Sequence, residues 1–208
     1  MKNPIKLKKI PQDIVGNIAI LKFPLKTPFI IRKLRAFLFL KDNKNVMTVL
    51  EKTEKVSGRL RTFSTRRLAG VRTKEAVYKE NDCVFRFNVD EAYFSPRLSN
   101  ERKRVSLDIL NFLRRKKIKN PRILVLFAGV APYPIVISKT LKQEGISAKV
   151  YSNEINRKAN DYARRNVSLN KVSDYVCFVE GDAKKIICKL NKGGIFRKFD
   201  IIVMPRPN

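Results

Sequence analysis

Residues 122–139 read R-I-L-V-L-F-A-G-V-A-P-Y-P-I-V-I-S-K. Ile123, Leu124, Val125, Leu126 and Phe127 form one unbroken apolar run. A strand with one wet face alternates apolar and polar residues; a strand covered on both faces does not. The run therefore predicts a buried parallel strand. Ala128, Gly129, Val130 and Ala131 make a small-residue turn, and a second apolar stretch over 135–137 leads into Lys139 and Lys142. Strand, turn and helix in this order open many nucleotide-binding α/β domains, where glycine lets the backbone approach a ligand. The stretch holds neither G-x-G-x-x-G nor G-K-[ST]. Alone, it is equally a plain core turn or a cofactor loop.

Downstream, A-K-V-Y-S-N-E over 148–154 reads as a second strand ending in an acid. Glu154 lies 25 residues past Gly129, near the roughly 20 expected of an acid that binds ribose hydroxyls at a second strand's end. A basic helix is expected over 156–170. A third strand, 175–180, is closed by Gly181-Asp182-Ala183, and a fourth, 199–204, by Pro205-Arg206-Pro207. Strands alternating with helices predict a parallel sheet whose strand ends line one crevice.

Upstream, apolar runs flank Gly16-Asn17, predicting a strand, tight turn and strand over 14–23. Apolar residues at 30, 31, 34, 37 and 38 mark a helical stripe with Lys33 and Arg35 outside. Further strands are expected over 46–55, 76–79 and 83–89, the last two around Glu80-Asn81-Asp82. Pro96 forces an extended entry to a helix, with Ser99 or Asn100 as its cap and its start near Glu101. Between Arg102 and Lys119 there are eight Lys or Arg and one acid, Asp108. That is either a solvated helix face or a phosphate-contacting stripe. The expected organisation is a small α+β unit over 1–90, a linker and helix over 91–120, and a Rossmann-like domain over 121–208.

The 208 residues carry 46 Lys and Arg against 18 Asp and Glu, a net charge of +28. Such self-repulsion is relieved by a polyanion, nucleic acid first and an anionic membrane surface second. A lysine-rich proteome also raises the charge. There is no histidine, which excludes His-ligated zinc and His-based triads; no metal is expected. Cys83, Cys177 and Cys188 have no C-x-x-C spacing and no signal peptide precedes them, pointing to a reducing, cytoplasmic setting. No apolar segment approaches the ~20 residues of a membrane span.

Several strings together resemble a known family. F-A-G-V at 127–130, N-E-I-N at 153–156, N-V-S-L-N-K at 166–171, G-D-A at 181–183 and D-I-I-V-M-P-R-P at 200–207 are similar to class I S-adenosylmethionine-dependent methyltransferases. I-V-G-N-I-A-I-L, K-T-E-K-V-S-G-R-L-R, C-V-F-R-F-N-V and above all Y-F-S-P-R-L-S-N-E-R-K-R narrow the resemblance to the archaeal and eukaryotic tRNA (guanine-37-N1) methyltransferases. Their sister is the wybutosine-pathway aminocarboxypropyl transferase. The resemblance implies a Rossmann-like parallel sheet behind a small α+β domain, S-adenosylmethionine as cofactor, and the tRNA anticodon loop as partner of a monomer. It implies Glu101 as the base that removes the guanine N1 proton, and Arg61, or else Arg59, as the cation facing guanine O6. It assigns Arg102, Phe127, Ala128, Gly129, Glu154, Ile155, Asp182, Ala183 and Pro205 to the cofactor, and Tyr93, Arg97 and Pro207 to the tRNA.

Each assignment has an ordinary alternative. Glu101 is also a first-turn acid of the kind a helix dipole favours. Arg59 and Arg61 are also solvated strand residues, Tyr93 a core residue, and Asp182 a helix cap. The chain departs from the family at Val125, where an acid is usual. It departs at G-V-A-P-Y, where G-x-G-P-F is common, and at Pro205, where the family has an Asn that helps hold guanine. The resemblance implies a sheet that continues beyond the fourth strand, so a C-terminally incomplete sheet is expected: a truncated gene, a split gene whose separate polypeptide completes the domain, or an incomplete sequence. A wyosine-pathway transferase and a non-catalytic tRNA-binding fragment are the alternative functions.

Overall fold

The computed structural model describes residues 10–53, 58, 60, 62–192 and 199–205. The chain opens with β1 (Gln12–Val15) and β2 (Ile18–Leu21), an antiparallel hairpin. Gly16 in its turn has φ +57°, and a Cβ there would lie 1.9 Å from the Val77 carbonyl oxygen. Glycine is required twice over, by conformation and by space. The neighbouring Asn17 Oδ1 accepts the Val77 N–H at 2.7 Å.

Helix α1 (Phe29–Asp42) crosses over to β3 (Thr48–Lys52), which runs parallel to β2 and antiparallel to β4 (Thr65–Gly70). The expected helix is present, but its apolar stripe faces outward. Ile30 is 80% exposed, Leu34, Phe37 and Leu38 are also exposed, and only Ala36 is buried. The inward stripe is Arg32, Ala36, Phe39 and Leu40, at the spacing of one helix face. An ionic anchor sets this rotation: Arg32 reaches the buried Glu51 of β3, which also receives Arg66 of β4.

β5 (Glu75–Glu80) and β6 (Cys83–Asn88) pair as a hairpin about Asn81 and Asp82, with φ of 46° and 56°. Two successive left-handed residues match the right-handed twist of the strands, and Asn and Asp tolerate that region. A 3-10 turn, Pro96–Leu98, then leads into α2 (Ser99–Lys116). The extended entry before Pro96 is observed at Ser95. Ser99 and Asn100 lie inside the first turn rather than capping it, because the 3-10 turn already supplies a helical start.

The remaining strands form one parallel sheet. β7 (Arg122–Val125), α3 (Pro132–Gln143), β8 (Lys149–Glu154), α4 (Arg157–Leu169), β9 (Val176–Glu180), α5 (Ala183–Lys192) and β10 (Ile201–Val203) follow in turn. The sheet order is β10-β7-β8-β9. The chain steps outward from β7 to β9, then returns to the other side of β7. That reversal opens a crevice at the strand carboxyl ends. Ile123 through Leu126 are buried, as the run predicts. Phe127 is not: the strand has ended, and the residue turns out at φ +54°, 47% exposed.

Packing crosses residue 90. One core cluster joins Ile20 and Leu50 to Phe85 and Phe87 and on to Ala159, Ala163 and Val167 of α4. Asn166 of α4 and the helix's C-cap, Asn170, close the outer edge of β6. Asn170 accepts the Val84 N–H at 2.8 Å and donates to the Val84 carbonyl at 2.7 Å. Asn166 accepts the Arg86 N–H at 2.8 Å. No helix among the described residues is long and apolar enough to cross a membrane.

Candidate active site

A cleft of about 420 Å³ lies over the ends of β7, β8 and β9, within the usual size of a small-molecule site. The sequence-assigned cofactor residues all line it: Arg102, Phe127, Ala128, Gly129, Glu154, Ile155, Asp182, Ala183 and Pro205. Tyr93 lines the same cleft. The loop after β7 is bent by local strain. Phe127, Gly129 and Ala131 all have positive φ, and Ala131, the N-cap of α3, takes φ +65° despite its Cβ.

Glu154 ends β8 and is held by three backbone N–H groups. Gly129 N–H donates to Oε2 at 2.8 Å; Ile155 and Asn156 N–H donate to Oε1 at 2.9 and 2.8 Å. A carboxylate has about four acceptor places, so one remains for a ligand hydroxyl. Asn153 ties the neighbouring strand ends together, donating to the Val179 and Gly181 carbonyls. Asn156 caps α4 and donates to the Glu91 carbonyl at 2.7 Å. Asp182 serves as the ordinary reading expects, accepting the Lys184 N–H at the start of α5, and also lines the cleft.

Arg102 lies under the cleft and is 1% exposed. Its Nε and Nη2 donate to Glu80 Oε1 and Oε2, and Nη2 also donates to the Ser95 carbonyl at 3.0 Å. The guanidinium stands over Phe94 and Tyr133. Its first duty is therefore to fasten α2 to β5.

Glu101 does not line this cleft. It lines an adjoining one of about 570 Å³, with Asp108, Phe112, Asp200 and Met204, between α2 and β10. Tyr133 and Pro205 belong to both walls. The Tyr133 hydroxyl donates to Glu101 Oε1 at 2.7 Å. Burial first, and then the Glu101 carboxylate, push the Tyr133 phenol far above its ordinary range, so it stays protonated. Arg97 lies apart, beside a third cavity, with its guanidinium on Asp13 at 2.8 Å. Arg59, Arg61 and Pro207 fall outside the described residues; Leu60, between the two arginines, lines the first cleft.

The sequence reading missed Glu80, Tyr133, Asn153 and Asn156. The asparagines sit inside N-E-I-N, and Tyr133 inside G-V-A-P-Y, so their signal was positional. Glu80 has none, lying 22 residues from its partner.

The residues fit an adenosyl group. Acids at two consecutive strand ends can accept from hydroxyl and amino hydrogens, while Phe127 and Ile155 offer apolar walls to a base. A parallel sheet of this order with acids at those two ends defines the class I methyltransferase architecture. A family model described as the TRM5/TYW2 methyltransferase domain matches residues 76–208, and the chain belongs to that family.

The chain is 40% identical, over 90% of its length, to the tRNA (guanine(37)-N(1))/4-demethylwyosine(37)-methyltransferase Taw22 of Nanoarchaeum equitans, covering 58% of that protein. It superposes on the crystal structure of Trm5b from Pyrococcus abyssi with a TM-score of 0.68 at 30% identity, covering 89% of this chain and 52% of the other. A third likeness is to Methanocaldococcus jannaschii Trm5 in complex with adenosine: TM-score 0.67, 25% identity, 96% of this chain and 54% of the other. The chain thus spans little more than half the length of these relatives.

Proposed function

We propose that the chain carries out S-adenosylmethionine-dependent methylation of guanosine 37 N1 in the tRNA anticodon loop. The observation that carries this is Glu101 on the wall beside the adenosyl cleft, in a second cleft separated from the first by Tyr133 and Pro205. A nucleoside cofactor and a target base thus have adjoining places, with a carboxylate at the base's place. The net charge of +28 suits a tRNA partner. A tRNA substrate puts the activity in the cytoplasm.

Glu154, Asp182 and the 127–129 loop would hold the adenosyl group, and Tyr93, on the wall of that first cleft, would flank the target base where the two ligands meet. When bound, S-adenosylmethionine supplies a methyl group on a positively charged sulfur, which keeps the electron pair of the broken bond. Glu101 takes the N1 proton, so the N1 electron pair is free to form the new bond. Arg61, or Arg59, steadies negative charge on O6. In this reading residues 1–90 present the tRNA, 91–120 carry the base and 121–208 hold the cofactor. The protein acts as a monomer of this chain.

Primer extension on unmodified tRNA treated with the purified chain and S-adenosylmethionine tests the reaction. An N1 methyl blocks base pairing, so extension stops at position 37. Glu101→Gln abolishes the stop and leaves tRNA binding intact. Full read-through with the unaltered chain sinks the assignment. A second reading, methylation of 4-demethylwyosine at the same position, is favoured by the name of the Nanoarchaeum relative. It is tested by mass analysis of tRNA bearing that base.

A further inference from the structure

Tyr133 sits in the first turn of α3, 3% exposed, where the two clefts meet. Its hydroxyl is 2.7 Å from Glu101 Oε1, and its ring is 5.8 Å from the Arg102 guanidinium, which Glu80 pins from the other side. Glu80 on β5, Arg102 on α2, Tyr133 on α3 and Glu101 on α2 form one continuous contact chain.

We propose that Tyr133 is a positioning residue for Glu101: its phenol holds Oε1, so that Oε2 is the oxygen that receives the guanine N1 proton. The proposal rests on Glu101 being the base. A carboxylate in a first helical turn otherwise samples several rotamers, and general base catalysis needs it within hydrogen-bond reach of one proton. A buried phenol that stays protonated donates throughout the working range and never competes for the substrate's proton. One proton moves, from N1 to Oε2, and the Tyr133 proton stays in place. Removing the hydroxyl frees the carboxylate and withdraws a donor from its ionised form. Asp108 and Asp200 line the same cleft as Glu101, and the charges of Arg102 and Glu80 also act on the Tyr133 phenol.

The test is Tyr133→Phe in the full chain, which removes one oxygen and keeps the ring. Two readouts are taken: the single-turnover rate of methyl transfer at saturating tRNA and S-adenosylmethionine, and the affinity for tRNA. The expected result is a single-turnover rate lower by about tenfold with tRNA affinity unchanged. A rate equal to the unaltered chain's, or a loss confined to affinity, overturns the proposal. If Glu101→Gln keeps full activity, the base assignment fails first, and the proposal with it; if Glu101→Gln is inactive and Tyr133→Phe is as fast as the unaltered chain, only the positioning role fails.

Discussion

Arg102 and Glu80 form a two-pronged ion pair beneath the cleft, Nε to Oε1 at 2.5 Å and Nη2 to Oε2 at 2.6 Å, with both side chains 2% exposed. The planar guanidinium fork matches the carboxylate edge. Removing one partner strands the other charge away from water. Glu80→Ala should cost about 3–5 kcal/mol of stability by chemical denaturation. Replacing both partners by apolar residues of similar volume should cost less than Glu80→Ala alone. A smaller loss for the single change than for the double would refute the buried-pair account.

Glu154 holds the loop after β7 and, in the proposed reading, a ribose hydroxyl. Glu154→Ala should weaken S-adenosylhomocysteine binding by about 10–100-fold, the worth of a hydrogen bond to a charged group. Titration calorimetry measures this directly, and unaltered affinity would exclude Glu154 from the site.

Gly16→Ala should be among the costlier glycine replacements. The new methyl would meet the Val77 carbonyl, and the residue would have to keep a left-handed conformation. A loss of at least about 1–3 kcal/mol is expected, read as a lowered urea midpoint. The same change at Gly145, where a Cβ meets nothing within 4 Å, should cost only the conformational part.

Burial pushes the Cys83 thiol from 9.0 up to about 11. Below pH 9 the thiol is protonated in both states, and its contribution to stability is complete. Between pH 9 and 11 the unfolded chain ionises first and binds fewer protons, so stability falls as pH rises. The slope from this site approaches about 1.4 kcal/mol per pH unit. Urea unfolding across that range should be steeper in pH for the unaltered chain than for Cys83→Ala. Equal slopes would show that the thiol titrates normally.

What the sequence made legible was mostly local. The 123–126 run and the Asn81-Asp82 turn each depend on neighbours in the chain, and each appears where expected. The residues that the family strings assign to the cofactor line one cleft. What stayed hidden depends on partners distant in sequence. The rotation of α1 follows from Arg32 meeting Glu51, 19 residues away, and apolar periodicity cannot register an ionic anchor. Phe127 belongs to the apolar run by composition, yet the backbone turns just before it. Tyr133 meets Glu101 across 32 residues, and no spacing rule joins them.

Asn166 and Asn170 also bear on how the chain meets other chains. An open strand edge is a template on which foreign strands can grow. Along β6 that template is already taken by the amides of Asn166 and Asn170, so this edge of the hairpin is closed to a foreign strand. The guard is small and exposed to single changes. Replacing Asn170 would uncover part of that edge at residues that do not line the cleft.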